Sequence, residues 1–329
     1  MNSFRILFLA TAVGATSASF AFGIYGHSGL SGGFRWDNEA RVMNGVERSL
    51  QGGLRYSVQG GNYQAYRDTF TWSGVAPTVA AFTAAVQSAF NDWTVVDPVS
   101  GLGTTLSFVE DLGTATSTSV SGGVRMGAEI DLLGATSGQT FGVGDGGLRA
   151  EAFFSAVNVT GGVTLTSGTT NYTPAAISGA DVTMNSNSNA LWTLDWFRTI
   201  LRHEIGHSLG LADVDNQSGP GGTFIDDNYV AGQAGTTLTN SFAGLINPLN
   251  PAASPLNLYT IPNNINGFDA AGVEILMESN ISNFFLTNSL QNDDFAGRQF
   301  LYPTAVPEPA TMLALGAGAA LIARRRRKA

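Results

Sequence analysis

Residues 194–209 constrain the fold of this chain more than any other segment, because they carry two of its three histidines on one predicted helix. Apolar residues recur there at spacings of three and four, which is the period of an amphipathic helix. His203 and His207 stand four residues apart, so both imidazoles face the same side and can reach one metal ion. Glu204 is rotated away from that pair and can stand beside a water on the metal. The segment therefore predicts a metal site with Glu204 as its general base.

The residues after the histidines predict a third ligand. Gly210 can adopt the left-handed conformation that ends a helix, and the turn lets Asp213 swing back towards the ion. Zinc accepts a carboxylate oxygen as well as histidine nitrogens, so His203, His207 and Asp213 would hold one Zn²⁺ and leave a position open for water. Asp215 is the competing ligand.

The run HEIGHSLGLAD, residues 203–213, resembles the HExxHxxGxxH motif of metzincin metalloproteases, with aspartate in the third-ligand place. The spacing from Gly210 in that family favours Asp213 over Asp215. The resemblance implies a zinc-dependent endopeptidase that acts on protein or peptide substrates. Asp213 would leave the zinc site with a net charge of +1, which weakens the effect of the metal on the acidity of its water.

Further segments are similar to the matrixin branch of the same family. VEILM, ending at Met277, resembles the Met-turn below the metal, and residues 290–302 resemble the last matrixin helix. AAVQSAFNDW, LSFVED and GAEIDL follow one another in the matrixin order of helix, strand and strand. The resemblance implies an α+β, zincin-like fold: a twisted mixed β-sheet, an active-site helix and a C-terminal helix. It assigns a structural role to Met277, and to Asp293 and Asp294 the tether between the last helix and the Met-turn.

Some positions depart from the matrixin pattern. Glu278, Ser279 and Asn280 stand where matrixins have the proline and tyrosine of the specificity pocket, so substrate preference does not transfer. No histidine occurs in residues 181–185, where matrixins present one to a second, structural zinc, and His27 is expected in a loop. The chain has no cysteine, which excludes disulfides and a cysteine latch on the zinc.

Composition favours strands, turns and loops around these motifs, since glycine contributes 41 residues. A net charge of −9 makes nucleic acid an improbable partner. Besides the helix at 194–209, the spacing of apolar residues predicts helices over 77–93 and 292–301. Alternating or β-branched runs predict strands over 105–109, 125–132, 149–159, 161–166 and 181–184.

Both ends of the chain read as export signals. Residues 1–21 combine Arg5, an apolar run and small residues in the order of a signal peptide, and a first strand of the domain is the alternative. Residues 306–328 consist of VPEP, an apolar run and five consecutive cations, and they resemble the PEP-CTERM sorting signal of Gram-negative bacteria. That resemblance implies an exosortase as processing partner, transient membrane anchoring by the C-terminal helix, and a destination at the cell surface or in the extracellular matrix. An ordinary tail anchor is the alternative, with the same topology.

The predicted organisation is therefore a signal peptide (1–21), an N-terminal segment of uncertain structure (22–70), a metzincin-like catalytic domain (71–303) and the sorting tail (306–328). A long insertion at about 214–265 interrupts the domain, and its Asp226 and Asp227, together with Asp215, could bind Ca²⁺. A surface protein with a structural or binding role that kept only the protease scaffold is the rival to an enzyme. The presence of Glu204 counts against it, since a scaffold requires no base.

Overall fold

The fold is described from a computed structural model. It covers residues 21–25, 34–96, 103–159, 163, 175–213, 222–226, 276–277, 289–290 and 292–302. Signal-peptide residues 1–20, most of the 214–265 insertion, the predicted strand at 161–166 apart from Val163, and the sorting tail lie outside these residues.

Short strands outnumber helices in the described residues. In chain order the strands are β1 (Ala21–Tyr25), β2 (Val42–Met43), β3 (Val46–Glu47), β4 (Leu54–Val58), β5 (Thr71–Trp72), β6 (Phe108–Glu110), β7 (Val120–Ser121), β8 (Val124–Arg125), β9 (Ile130–Ala135), β10 (Ala150–Asn158), β11 (Ala175–Asn185), β12 (Leu191–Trp192), β13 (Leu211–Ala212) and β14 (Gly222–Asp226). The helices are α1 (Tyr63–Arg67), α2 (Val79–Asn91), α3 (Leu194–Ser208) and α4 (Asn292–Leu301), with 3₁₀ turns at Gln59–Gly61 and Asp92–Thr94.

A five-stranded mixed sheet organises the molecule, with the strand order β10-β11-β9-β4-β6. Strands β11, β9, β4 and β6 run parallel, and β10 pairs antiparallel with β11 at one edge. Helices α2 and α3 pack against each other, and α3 also contacts β10 and β11. The apolar core fills the space between these layers and includes residues from both helices and the sheet. The edge strand β10 is thereby brought beside α3.

The first long helix begins and ends close to its predicted bounds. The Thr78 side chain accepts a hydrogen bond from the backbone N–H of Ala81 and so caps α2. Residues at spacings of three and four turn towards the core, among them Phe82, Val86 and Phe90. The prediction of a helix over 77–93 is confirmed, because the apolar period and the cap are both local signals.

The predicted bounds of the strands agree less well with the structure than those of the helices. The run predicted as one strand over 125–132 is two, β8 and β9, because Gly127 adopts a positive φ of 94° and turns the chain between them. Strand β6 begins three residues later than the predicted start at residue 105. Strand β11 is far longer than the predicted 181–184, and most of its residues are buried.

Residues N-terminal to position 71 belong to the sheet. Strand β4 pairs parallel with β6 on one side and with β9 on the other. The predicted domain start at residue 71 therefore comes too late. Four of the five residues of β4 are buried. Its sequence LRYSV alternates apolar and polar residues, a strand signal that the prediction for this segment missed.

The chain returns to the core in α4, whose predicted and observed bounds are both 292–301. Arg298, with no exposed surface, donates a hydrogen bond to the carbonyl of Trp93 at 3.2 Å. Tyr302 is the first residue after α4. Its phenol donates a hydrogen bond to the carbonyl of Leu209 at 2.6 Å and accepts one from the N–H of Trp36 at 3.2 Å. These bonds attach the last helix to the segments around α3.

Candidate metal centre

Helix α3 presents the two histidines and the glutamate from one rigid element. The hydroxyl of Thr193 accepts from the N–H of Trp196, which caps the helix and sets its first turn. His203, Glu204 and His207 lie in its last turns, each only about one-twentieth exposed. Their ligand-type atoms all lie within 4.8 Å of one another.

Gly206, within the same turns, permits a close approach of the segment below the helix. A Cβ atom at this position would overlap the Sδ of Met277 and lie 2.8 Å from Cζ2 of Trp93. Both of these side chains are buried, and the Trp93 indole N–H donates to the carbonyl of Arg202 at 3.0 Å. Met277 therefore packs directly against the backbone of the histidine-bearing helix.

Gly210 turns the chain out of α3. Its φ is 99°, a conformation that L side chains rarely adopt, and its N–H donates to the carbonyl of His207 at 2.9 Å. A Cβ there would also overlap the carbonyl oxygen of Phe34. After this turn β13 leads directly to Asp213.

Hydrogen bonds orient both imidazoles. Nδ1 of His203 donates to the carbonyl of Leu276 at 2.7 Å, and Nδ1 of His207 donates to the carbonyl of Leu211 at 2.8 Å. A carbonyl oxygen only accepts, so the proton of each neutral ring is on Nδ1. Each Nε2 then carries a lone pair, which is the state that binds a metal ion.

Asp213 meets both of these nitrogens. Its Oδ1 lies 3.3 Å from Nε2 of His203 and 3.2 Å from Nε2 of His207. A carboxylate oxygen and a nitrogen lone pair at such distances repel each other unless a proton or a cation lies between them. Four-coordinate zinc, with bonds of about 2.0–2.2 Å, separates its neighbouring ligand atoms by about 3.3–3.5 Å. The donor set and its spacing therefore fit one zinc ion held by His203, His207 and Asp213.

The charged groups in this cluster shift one another's pKa values. Burial opposes the charged form of His207, but the Asp213 carboxylate outweighs it and raises the pKa of His207 to about 9. Burial and the charge of His207 oppose the charged form of His203, but the closeness of Asp213 and the charge of Glu204 outweigh them and raise the pKa of His203 as well. Burial acts in the other direction on Asp213, yet the two histidines hold its pKa well below the usual range. The cluster thus favours a cation beside the Asp213 carboxylate.

The carboxylate of Glu204 lies within 4.8 Å of a ring nitrogen of each histidine. Burial raises the pKa of its carboxyl, the histidines lower it, and the charges of Asp213 and Glu151 add to the increase. Its Oε2 is buried and has no hydrogen-bond partner among the described residues. A buried acceptor without a donor is costly in a folded protein, so this atom is suited to a water or a substrate group.

Asp294 holds the segment below the histidines. Its Oδ2 accepts from the N–H of Leu276 at 3.2 Å and its Oδ1 from the N–H of Met277 at 3.1 Å. The carbonyl of Leu276 also accepts a hydrogen bond from His203. Asp294 of α4 therefore supports this histidine through Leu276. The resemblance assigned this tether to Asp293 and Asp294, and the side chain of Asp293 lies outside the described residues.

Tyr25 is a site residue that the sequence did not indicate. Its ring centroid lies 5.7 Å from that of His207, and burial, followed by the charges of Asp213 and Glu204, raises the pKa of its phenol. It comes from the N-terminal segment, where the Gly-rich sequence shows no period that would have signalled a strand at the site.

The side chains of the predicted calcium ligands are not described in this structure. Asp215 and Asp227 lie outside the described residues, and Asp226 ends β14 with a side chain that is not described. The Glu278–Asn280 segment and His27 also lie outside them.

Comparison with known families gives a match at the C-terminal end of the sequence. Residues 305–328 match the PEP-CTERM protein-sorting motif. The protein carries a PEP-CTERM sorting signal. This signal implies export, sorting to the cell surface of a Gram-negative bacterium and processing by an exosortase. The match begins one residue before the predicted tail, and no curated protein matches the chain.

The apolar run of the sorting signal itself lies outside the described residues. Among the helices that are described, none is both long enough and apolar enough to cross a membrane.

Proposed function

We propose that this surface-sorted protein is a zinc-dependent endopeptidase with a metzincin-like catalytic domain. The observation that carries the proposal is the convergence of Asp213 Oδ1 on Nε2 of His203 and of His207, at 3.3 and 3.2 Å. Glu204 beside this cluster, buried and with Oε2 unpartnered among the described residues, adds the group that a hydrolytic site requires.

The roles of the residues follow from their chemistry. His203, His207 and Asp213 would hold the ion, with the carbonyls of Leu276 and Leu211 keeping each imidazole in the ligand tautomer. Zinc in such a site lowers the pKa of water and polarises the scissile carbonyl. Glu204 would accept the proton of the attacking water at Oε2 and return it to the departing amine nitrogen.

Burial suits Glu204 to this proton transfer. A general base works best when its pKa approaches the working pH, and the pKa of this carboxyl is raised chiefly by burial. The mixed sheet with an antiparallel edge strand beside the histidine-bearing helix supports the metzincin-like assignment.

The test uses purified full-length protein, casein and a fluorogenic peptide. We expect one zinc per chain, proteolysis that a chelator abolishes, and recovery when zinc is added back. Glu204→Gln should keep the zinc but lower kcat by at least about 100-fold, because it removes the base and leaves the ligands.

The matched control is Glu39→Gln, which makes the same chemical change at an exposed position and should retain full activity. A wild-type protein that binds one zinc but cleaves nothing at any pH would refute the enzyme and favour the scaffold with a structural or binding role. Full activity in Glu204→Gln would refute the assigned base.

A further inference from the structure

Tyr25 bridges the gap between the sheet edge and the histidine-bearing helix. Its ring lies against His207, with the centroids 5.7 Å apart and the planes at 54°. On its other side it meets Phe154 of β10 edge-on, again with the centroids 5.7 Å apart. The phenol thus occupies the space between β10 and α3, next to the candidate ligands.

The backbone of β1 holds this residue in position. The N–H of Tyr25 donates to the carbonyl of Gly210 at 3.0 Å, and its carbonyl accepts from the N–H of Phe34 at 2.9 Å. Strand β1 also pairs with β13 on one side and β14 on the other. Tyr25 is therefore attached to the same turn that directs Asp213 towards the histidines.

The chemistry of the phenol determines what Tyr25 can do here. A tyrosine hydroxyl carries its proton at neutral pH and can donate one hydrogen bond. The Nδ1 atoms of both histidines already donate to carbonyls, and Glu204 and Asp213 offer acceptors. A neutral donor close to these groups complements the negative charge that develops on a carbonyl oxygen during hydrolysis.

We propose that Tyr25 is a further catalytic residue of this site, whose phenol donates a hydrogen bond to the oxyanion that forms from the scissile carbonyl. This inference rests on the proposed endopeptidase function and deepens it. It also assigns a role to a strand that begins at the last residue of the predicted signal peptide.

The test compares Tyr25→Phe with the wild type as full-length, zinc-loaded proteins. Removing the hydroxyl should lower kcat by about 10- to 100-fold, since it removes one oxyanion donor. KM for the fluorogenic peptide and the zinc content should remain unchanged. The inhibition constant of a peptide phosphonamidate, whose tetrahedral anion mimics the transition state, should rise by a similar factor.

Tyr66→Phe is the matched control. It removes a buried phenol hydroxyl that hydrogen-bonds the carbonyl of Leu133 at 3.4 Å, and the Tyr66 ring packs against Phe70, Phe82 and Phe197. We expect its kcat and its phosphonamidate inhibition constant to equal those of the wild type.

Several results would overturn the assignment. An active wild type with an equally active Tyr25→Phe excludes the oxyanion role while leaving the endopeptidase intact. Increased activity in Tyr25→Phe would show that β1 obstructs the cleft. Unfolding or loss of zinc in this variant would assign the hydroxyl a structural role. A wild type that is inactive with zinc bound removes both proposals together.

Discussion

The absence of a side chain at Gly206 is what lets Met277 and Trp93 lie against the histidine-bearing helix. Met277 could move, because its side chain is flexible, but Trp93 is buried and hydrogen-bonded to Arg202. We expect Gly206→Ala to lower the free energy of unfolding by about 1–3 kcal/mol through overpacking. This loss should outweigh the gain of up to about 1 kcal/mol in helix propensity.

Urea unfolding measures this change, with Gly142→Ala as the control. Gly142 has no atom within 4 Å of an added Cβ, so its substitution should alter stability by less than about 0.5 kcal/mol. The double variant Gly206→Ala, Met277→Ala should show less than additive destabilisation, because the smaller side chain removes one overlap. Unchanged stability in Gly206→Ala would show that the close packing is not restrictive.

At the scale of elements, α4 supports the candidate centre from below. The two oxygens of Asp294 accept from the N–H groups of Leu276 and Met277, and Leu276 in turn orients His203. Asp294→Asn replaces one acceptor with an NH₂ group that faces a backbone donor. We expect a loss of about 1–3 kcal/mol in unfolding free energy. Zinc affinity, measured by competition with a chelator, should fall about 10-fold or more because a residue that supports a ligand is disturbed.

The control for this helix substitution is Asp195→Asn. Asp195 is largely exposed in the first turn of α3, and its ion pair with Arg198 spans 3.5 Å. Its replacement should alter stability by less than about 1 kcal/mol. Zinc affinity unchanged in Asp294→Asn would contradict the support of His203 by α4.

For the molecule as a whole, buried carboxylates make stability depend on pH. Burial outweighs the ion pair with Arg125 and raises the pKa of Asp181 from 3.8 to about 7, and burial raises that of Asp131 to about 6. The folded protein therefore holds more protons than the unfolded chain between about pH 4 and 7. Its unfolding free energy should fall as pH rises through this window, with Asp181 contributing at most about 1.4 kcal/mol per pH unit.

Urea unfolding from pH 4.5 to 7.5 isolates the contribution of Asp181. Asp181→Asn cannot ionise, so its stability should decline less steeply than that of the wild type over this range. Thr183→Ser, which changes a neighbour on β11 without altering any titratable group, should keep the wild-type slope. Equal slopes for wild type and Asp181→Asn would show that Asp181 does not hold a proton in the folded protein.

Local signals accounted for the elements that were predicted well. Helix α2 has a cap and a continuous apolar period, and α4 has the predicted bounds. Strand β4 was missed although its sequence LRYSV alternates apolar and polar residues, because it is only five residues long and stands between glycine pairs in a Gly-rich segment. Strands β8 and β9 were merged because the positive φ of Gly127 is not evident from an alternating sequence.

The sequence by itself determined that His203, Glu204 and His207 share one helix, and that a glycine follows where the chain must turn towards Asp213. These relations depend on helical periodicity and on the conformational freedom of glycine, both of which act within a few residues. The resemblance of the last helix to that of matrixins already implied a tether at Asp294. Only the tertiary structure brought Tyr25 to the candidate centre. Its position depends on the pairing of β1 with β13, between segments far apart in the chain, and such pairing leaves no periodic signal in the sequence.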